Sequence, residues 1–298
     1  MLEIQHLHKQ FGSVTALDDV SFNVEDGQIT GLIGQNGSGK STTFHSILNF
    51  LKYDGTIRWQ NKPVTESVFD RIGYLPEERS LMPKLTVEQQ IVYLARLKNK
   101  PAREIRPQID NWLEKFAVKG KKTDQIKSLS KGNQQKVQLI VTLIHQPELI
   151  ILDEPFSGLD PVNADLLKNA ILEARDQGAA IIFSSHNMAN VESVCDRLVM
   201  LRTGELVLNG SIEEVRNQFG KSEVYVTTPW PETRLAKLPH VVQVTHIRDR
   251  RFVLHLDDPT AGPEVFEQLT NGKYIEEFSQ QPPTLDEIFR MKAGIDHE

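Results

Sequence analysis

Apolar and polar positions alternate from the start of the chain. Leu2 and Ile4 interleave with Glu3 and Gln5, and Val20, Phe22 and Val24 with Ser21 and Asn23, ahead of an Asp26-Gly27 turn. A period of two predicts half-buried strands. Residues 28–33, Gln28-Ile29-Thr30-Gly31-Leu32-Ile33, read instead as a buried strand. Residues 42–51 carry apolar side chains at helical spacing, and residues 56–59 and 72–75 read as two further strands. From about residue 86 to residue 146 the pattern turns helical. Thr86 with Gln89 forms a capping-box pattern ahead of Val87, Ile91 and Leu94; Pro101 breaks that helix, and a second carries Ile109, Trp112, Leu113 and Phe116.

After Pro147 the strand pattern returns. Leu149-Ile150-Ile151-Leu152 and residues 179–184 are continuous apolar runs, which suit central parallel strands buried on both faces. A hairpin over residues 198–201 turns at Gly204. Beyond Phe219-Gly220-Lys221 the character changes to strands at 224–226, 241–244 and 252–256, with helices at 263–269 and 284–291. The pattern therefore predicts an α/β core over residues 1–220, with a helical subdomain at about 86–146, and a small α+β domain over 221–298.

Between the buried strand and the first helix lies Gly34-Gln35-Asn36-Gly37-Ser38-Gly39-Lys40-Ser41, followed by Thr42. This is a complete phosphate loop in its strand–loop–helix setting. Its glycines let successive N–H groups point inward at an anion, and the helix aims its positive end at the same place. Lys40 is expected to reach the β- and γ-phosphates, and the Ser41 hydroxyl to sit on Mg²⁺. A bland glycine turn needs neither the lysine nor the hydroxyl.

The bulk composition narrows the class. The 298 residues carry a formal net charge of −6, which argues against a general nucleic-acid binder. A single cysteine, Cys195, allows no disulfide framework and suits a reducing cytosol; its apolar helical context reads as a structural thiol. The first residues lack a secretory pattern, and the most apolar tract, 137–152, is broken by Gln138, His145, Gln146, Pro147 and Glu148. Any membrane-spanning role falls to another chain.

Asp153 and Glu154 follow the strand 149–152 directly, where α/β sheets bind ligands. The first carboxylate of such a pair can hold Mg²⁺ and the second can polarise an attacking water. Upstream, Leu129-Ser130-Lys131-Gly132-Asn133 precedes a helix. Together with the phosphate loop these motifs resemble, over about residues 1–215, the nucleotide-binding subunit of an ATP-binding-cassette (ABC) transporter.

That resemblance implies roles residue by residue. Ser157-Gly158-Leu159-Asp160 matches the family's D-loop, which connects the two sites of a dimer, and His186 matches the switch histidine at the γ-phosphate. Phe11 matches the aromatic that stacks on adenine, a contact worth about 1–3 kcal/mol; a core phenylalanine is the competing reading. Ser130 and Gly132 match the groups that reach the γ-phosphate of the opposite subunit. Two motifs depart from the family. Lys131 and Asn133 stand where the signature usually has glycine and glutamine, and Glu77 stands where a glutamine usually touches Mg²⁺. Both departures resemble an export-type branch whose C-terminal domain ends like Pro283-Thr284-Leu285-Asp286-Glu287-Ile288-Phe289.

The resemblance implies an ATP- and Mg²⁺-dependent ATPase at the inner face of the cell membrane. It implies two such subunits, as a homodimer or heterodimer, sandwiching ATP and driving a separate transmembrane permease. A soluble ABC ATPase of translation or DNA repair fits less well, because the chain has one phosphate loop and no sustained heptads. A non-hydrolysing nucleotide sensor is opposed by Lys40, Asp153, Glu154 and His186.

Overall fold

The structure, a computed structural model, describes residues 1–78 and 80–294. Two compact units are present, Met1–Asn209 and Gly210–Glu298.

The first unit begins with β1 (Leu2–Phe11), β2 (Val14–Val24) and β3 (Ile29–Ile33), followed by α1 (Lys40–Ile47), β4 (Asp54–Trp59), the short β5 (Lys62–Pro63) and β6 (Ile72–Leu75). The helices α2 (Val87–Leu97), α3 (Ala102–Ile105), α4 (Ile109–Lys115) and α5 (Lys131–Leu143) come next. The chain then runs through β7 (Leu149–Leu152), α6 (Pro161–Asp176), β8 (Ala180–Ser185), α7 (Met188–Val194), β9 (Arg197–Arg202) and β10 (Glu205–Ser211).

Among the described residues these strands build two sheets. One is antiparallel, in the order β2-β1-β4-β5; the other has the order β10-β9-β3-β8-β7-β6. In the second sheet β9, β3, β8, β7 and β6 are mutually parallel. Every residue of β3, β7 and β8 is buried, as expected for strands covered on both faces. The register pairs Ile33 with Ser185, Leu152 with Phe183, and Leu75 with Leu152. The carboxyl ends of β3, β8, β7 and β6 are therefore level, and the segments leaving them share one edge. A core containing Leu2, Val20, Leu32, Phe44, Trp59, Ile151, Ile182 and Leu201 joins the two sheets to α1.

Helix ends follow local chemistry. The Thr86–Gln89 capping box forms in full, with Gln89 N–H 3.2 Å from Thr86 Oγ1 and Thr86 N–H 2.9 Å from Gln89 Oε1. The helix after the phosphate loop is shorter than the apolar spacing predicts. It ends at Ile47, because Asn49 turns into the left-handed region at φ 56°, and Phe50 is left 60% exposed. Cys195 caps α7, and a Cβ added at Gly31 would lie 2.7 Å from its sulfur. Burial pushes this thiol well above its ordinary range.

The second unit contains α8 (Ile212–Asn217), β11 (Glu223–Thr227), α9 (Glu232–Leu235), β12 (Val241–Arg248), β13 (Arg251–Leu256), α10 (Gly262–Thr270), β14 (Glu277–Gln281) and α11 (Leu285–Ala293). Its antiparallel sheet has the order β12-β13-β11-β14 over a core of its own, including Val224, Val226, Leu254, Val265 and Leu269. The sequence pattern does not anticipate β14, whose residues Glu-Phe-Ser-Gln-Gln lack a clear apolar period. Pairing with β11 along its whole length makes it a strand.

Candidate functional site

The loop leaving β3 is shaped by glycines. Gly37 and Gly39 adopt φ of 81° and 109°. A Cβ at Gly39 would stand 2.6 Å from Leu17 Cδ2 and 2.8 Å from Ala16 O, so this position admits no side chain. A Cβ at Gly37 would meet nothing within 4 Å, which leaves that stretch of backbone open to a close ligand. The helix α1 starts on Gly39 with no side-chain cap and no acidic residue in its first turn, so its N–H groups remain available to an anion.

Lys40 is 7% exposed, and its ammonium donates to Gly34 O at 2.8 Å and Gln35 O at 3.0 Å. Burial lowers its pKa, while the charges of Glu154, Asp153 and Glu77 oppose that shift. Ser38 is buried, and its Oγ has no partner within the described residues. A buried cation beside an uncapped helix start suits a phosphate.

Asp153 and Glu154 leave β7 at the same edge. Asp153 is 4% exposed and accepts a 2.6 Å hydrogen bond on Oδ1 from the Ser184 hydroxyl. Glu154 takes the left-handed φ of 47°, costly for a residue with a side chain, and its N–H donates to Ser184 Oγ at 2.7 Å. Its carboxylate, largely buried, lies 3.1 Å from Nδ1 of the exposed His186.

A cleft of about 380 Å³ is lined by Asn36, Gly37, Gly39, Lys40, Ser41, Thr42, Glu77, Asp153, Glu154, Ser157 and His186. Gly34, Gln35 and Ser38 belong to the same loop but not to the cleft wall. Ser41, Asp153 and Glu77 line this cleft with oxygen-bearing side chains, the donor type that Mg²⁺, a hard cation, prefers.

Besides Gly34, Gln35 and Ser38, four more expected site residues lie outside this cleft. Phe11 ends β1, is 47% exposed, and has the Lys9 ammonium 4.8 Å from its ring centre, so it is no core residue. Asp160 caps α6, accepting the Asn163 N–H at 2.9 Å. Ser130 caps α5 and accepts the Asn133 side-chain amide at 2.9 Å. A Cβ at Gly132 would meet nothing within 4 Å, so nothing among the described residues demands glycine there.

Sequence reasoning misses three buried or half-buried polar groups that brace the site. Ser184 is one. The others are amides on α5: Gln135 Nε2 donates to Ser157 O at 3.3 Å, and Gln138 Nε2 to Glu78 O at 3.2 Å. Gln138 is 3% exposed; a glutamine in the buried run of a helix was the available signal.

Comparison with known proteins accords with this geometry. Residues 17–157 match the family model described as ABC transporter, and residues 210–293 match one described as ATP-binding protein DrrA1-3-like, C-terminal domain. The ABC transporter ATP-binding protein YhaQ of Bacillus subtilis is 40% identical, with 100% of each chain covered. The chain belongs to the ATP-binding proteins of ABC transporters. It is also 30% identical to LptB of Haemophilus influenzae, named as the ATP-binding protein of a lipopolysaccharide export system, over 76% of this chain and 97% of that protein. A solved structure described as the ATP-binding subunit of an ABC transporter superposes with a TM-score of 0.70 at 31% identity, covering 74% of this chain and 93% of that one. The first unit is thus an ABC ATP-binding domain, a family of ATPases, and no helix among the described residues is long and apolar enough to cross a membrane.

Proposed function

We propose that this ABC subunit binds and hydrolyses ATP to drive an exporter, working as a head-to-tail dimer on a separate membrane permease at the cytoplasmic face. The observation that carries the reading is the split of the site. Loop, lysine, carboxylates and histidine share one cleft, while Ser130 and the unobstructed Gly132 lie away from it. A second subunit would bring its Ser130 and Gly132 to the γ-phosphate held here.

In this reading the loop N–H groups and Lys40 bind the phosphates, and Phe11 offers an exposed face to the base. Ser41, Asp153 and Glu77 would hold Mg²⁺, which when bound neutralises charge on the β- and γ-phosphates. Glu154 accepts a proton from the attacking water, and His186 orients Glu154 from 3.1 Å while facing the γ-phosphate. Asp160 lies in the segment that meets the partner subunit. ATP closes the dimer because it touches both subunits only in the closed state.

Coupling to the permease runs through residues 77–85, of which Arg79 lies outside the described residues. Beside that segment is an apolar groove of about 340 Å³, lined by Phe50, Tyr74, Leu94, Leu97 and Val141. Phe50 and Leu97 are 60% and 62% exposed, as suits a site for an apolar permease segment. Export is favoured by the similarity to a subunit named for an export system and by a C-terminal ending that resembles the export-type branch. The test is affinity purification of the chain from detergent-solubilised native membranes. A stoichiometric polytopic protein is expected; recovery only from the soluble fraction, with ribosomes, DNA or no partner, would overturn the transporter reading.

A further inference from the structure

Ser184 is 0% exposed, at the carboxyl end of β8. The pairing of Leu152 with Phe183 sets it beside Asp153, the residue that leaves the neighbouring strand. Its hydroxyl accepts the Glu154 N–H at 2.7 Å and donates its only proton to Asp153 Oδ1 at 2.6 Å. A hydroxyl has one proton, so accepting from Glu154 directs that proton to Asp153. One side chain therefore grips the carboxyl group of the first acidic residue and the backbone of the second.

Both grips bear on chemistry. With Oδ1 engaged, the Asp153 carboxyl cannot turn freely in the cleft. The bond to the Glu154 N–H pins a residue whose left-handed φ of 47° would otherwise relax, and that turn sets the Glu154 carboxylate 3.1 Å from His186. We propose that Ser184 is the positioning residue of this site, fixing Asp153 toward the metal and Glu154 toward the attacking water through a single buried hydroxyl. The inference rests on the ATPase reading of the cleft.

The test uses the full chain as wild type, Ser184→Ala and Ser184→Cys, the last keeping the side-chain size with a weak donor. Three readings are taken. These are amide exchange at residue 154 without ligand, affinity for a fluorescent ATP analogue with and without Mg²⁺, and kcat and KM for ATP. For Ser184→Ala, exchange at 154 rises about tenfold or more, and the gain in affinity from Mg²⁺ shrinks about tenfold. Its kcat falls about tenfold to a hundredfold, while metal-free affinity stays within about twofold of wild type. Ser184→Cys falls between the two. Wild-type exchange, Mg²⁺ response and kcat in Ser184→Ala would overturn the proposal. So would a general rise in exchange with loss of metal-free affinity, since that marks a folding role. If wild type itself neither binds the analogue nor turns over ATP, the ATPase reading fails, and exchange at 154 still decides whether Ser184 holds the turn.

Discussion

Lys40 holds two neutral carbonyl oxygens in a nearly closed loop, with three carboxylates biasing it toward its charged form. An arriving phosphate replaces those neutral acceptors with charged oxygens, so that both partners of each bond are ionised. Lys40→Ala is expected to lower kcat by about a hundredfold or more in a steady-state ATPase assay, the usual loss for one preorganised donor. Undiminished turnover would remove Lys40 from the site. Glu77 adds negative charge to the same cleft. Glu77→Gln should tighten metal-free ATP binding several-fold and raise the Mg²⁺ concentration needed for half-maximal activity, both read by titration. The loop and the paired carboxylates were legible in sequence because each is a local pattern with its own spacing. Ser184 was not, because its partners are Asp153 and Glu154, some thirty residues away, and only the β7–β8 register joins them.

Each unit carries a buried ionisable group that responds to pH in a different window. In the first unit His145 is 2% exposed at the end of α5, with Nε2 3.3 Å from Ile72 O, and burial pushes its pKa down to about 4. Between about 4 and the ordinary value of 6.5 the unfolded chain binds more protons, so stability is lost as pH falls through that window. In the second unit Glu223 is 2% exposed and hydrogen-bonded to Glu287 of α11 and to the Tyr225 hydroxyl. Burial and the neighbouring carboxylate raise its pKa from 4.5 to about 8. There the folded chain binds the extra proton, so stability is lost as pH rises from about 4.5 through about 8. Amide exchange across pH should therefore show α5 loosening on the acid side and α11 on the alkaline side. Glu223→Gln should flatten the alkaline response, and an unchanged alkaline loosening would contradict the assignment. Most elements were legible because their periods are strong, as in β7 and β8. The strand β14 exists through its partner, and α1 ends on the backbone angle of Asn49, neither of which hydrophobic spacing encodes.

Across the whole molecule, each unit has a hydrophobic core of its own, and the phosphate cleft is built entirely from the first. That cleft lacks the signature residues. Ser130 is held by Asn133, which also accepts the Lys119 N–H at 2.9 Å, so its hydroxyl is preset at the start of α5. Gly132 beside it leaves room for a close approach that none of the described residues makes. Such an incomplete site is the reason to expect a second copy or a related subunit, and the sequence pointed there only through family resemblance. The most direct measurement is the mass in solution of full-length Glu154→Gln with ATP and Mg²⁺, by sedimentation velocity over a range of protein concentrations. Blocking hydrolysis should trap the sandwich, giving a species of twice the 33.8 kDa chain that returns to monomer when ATP is removed. A monomer at every concentration with ATP bound would contradict the two-subunit account.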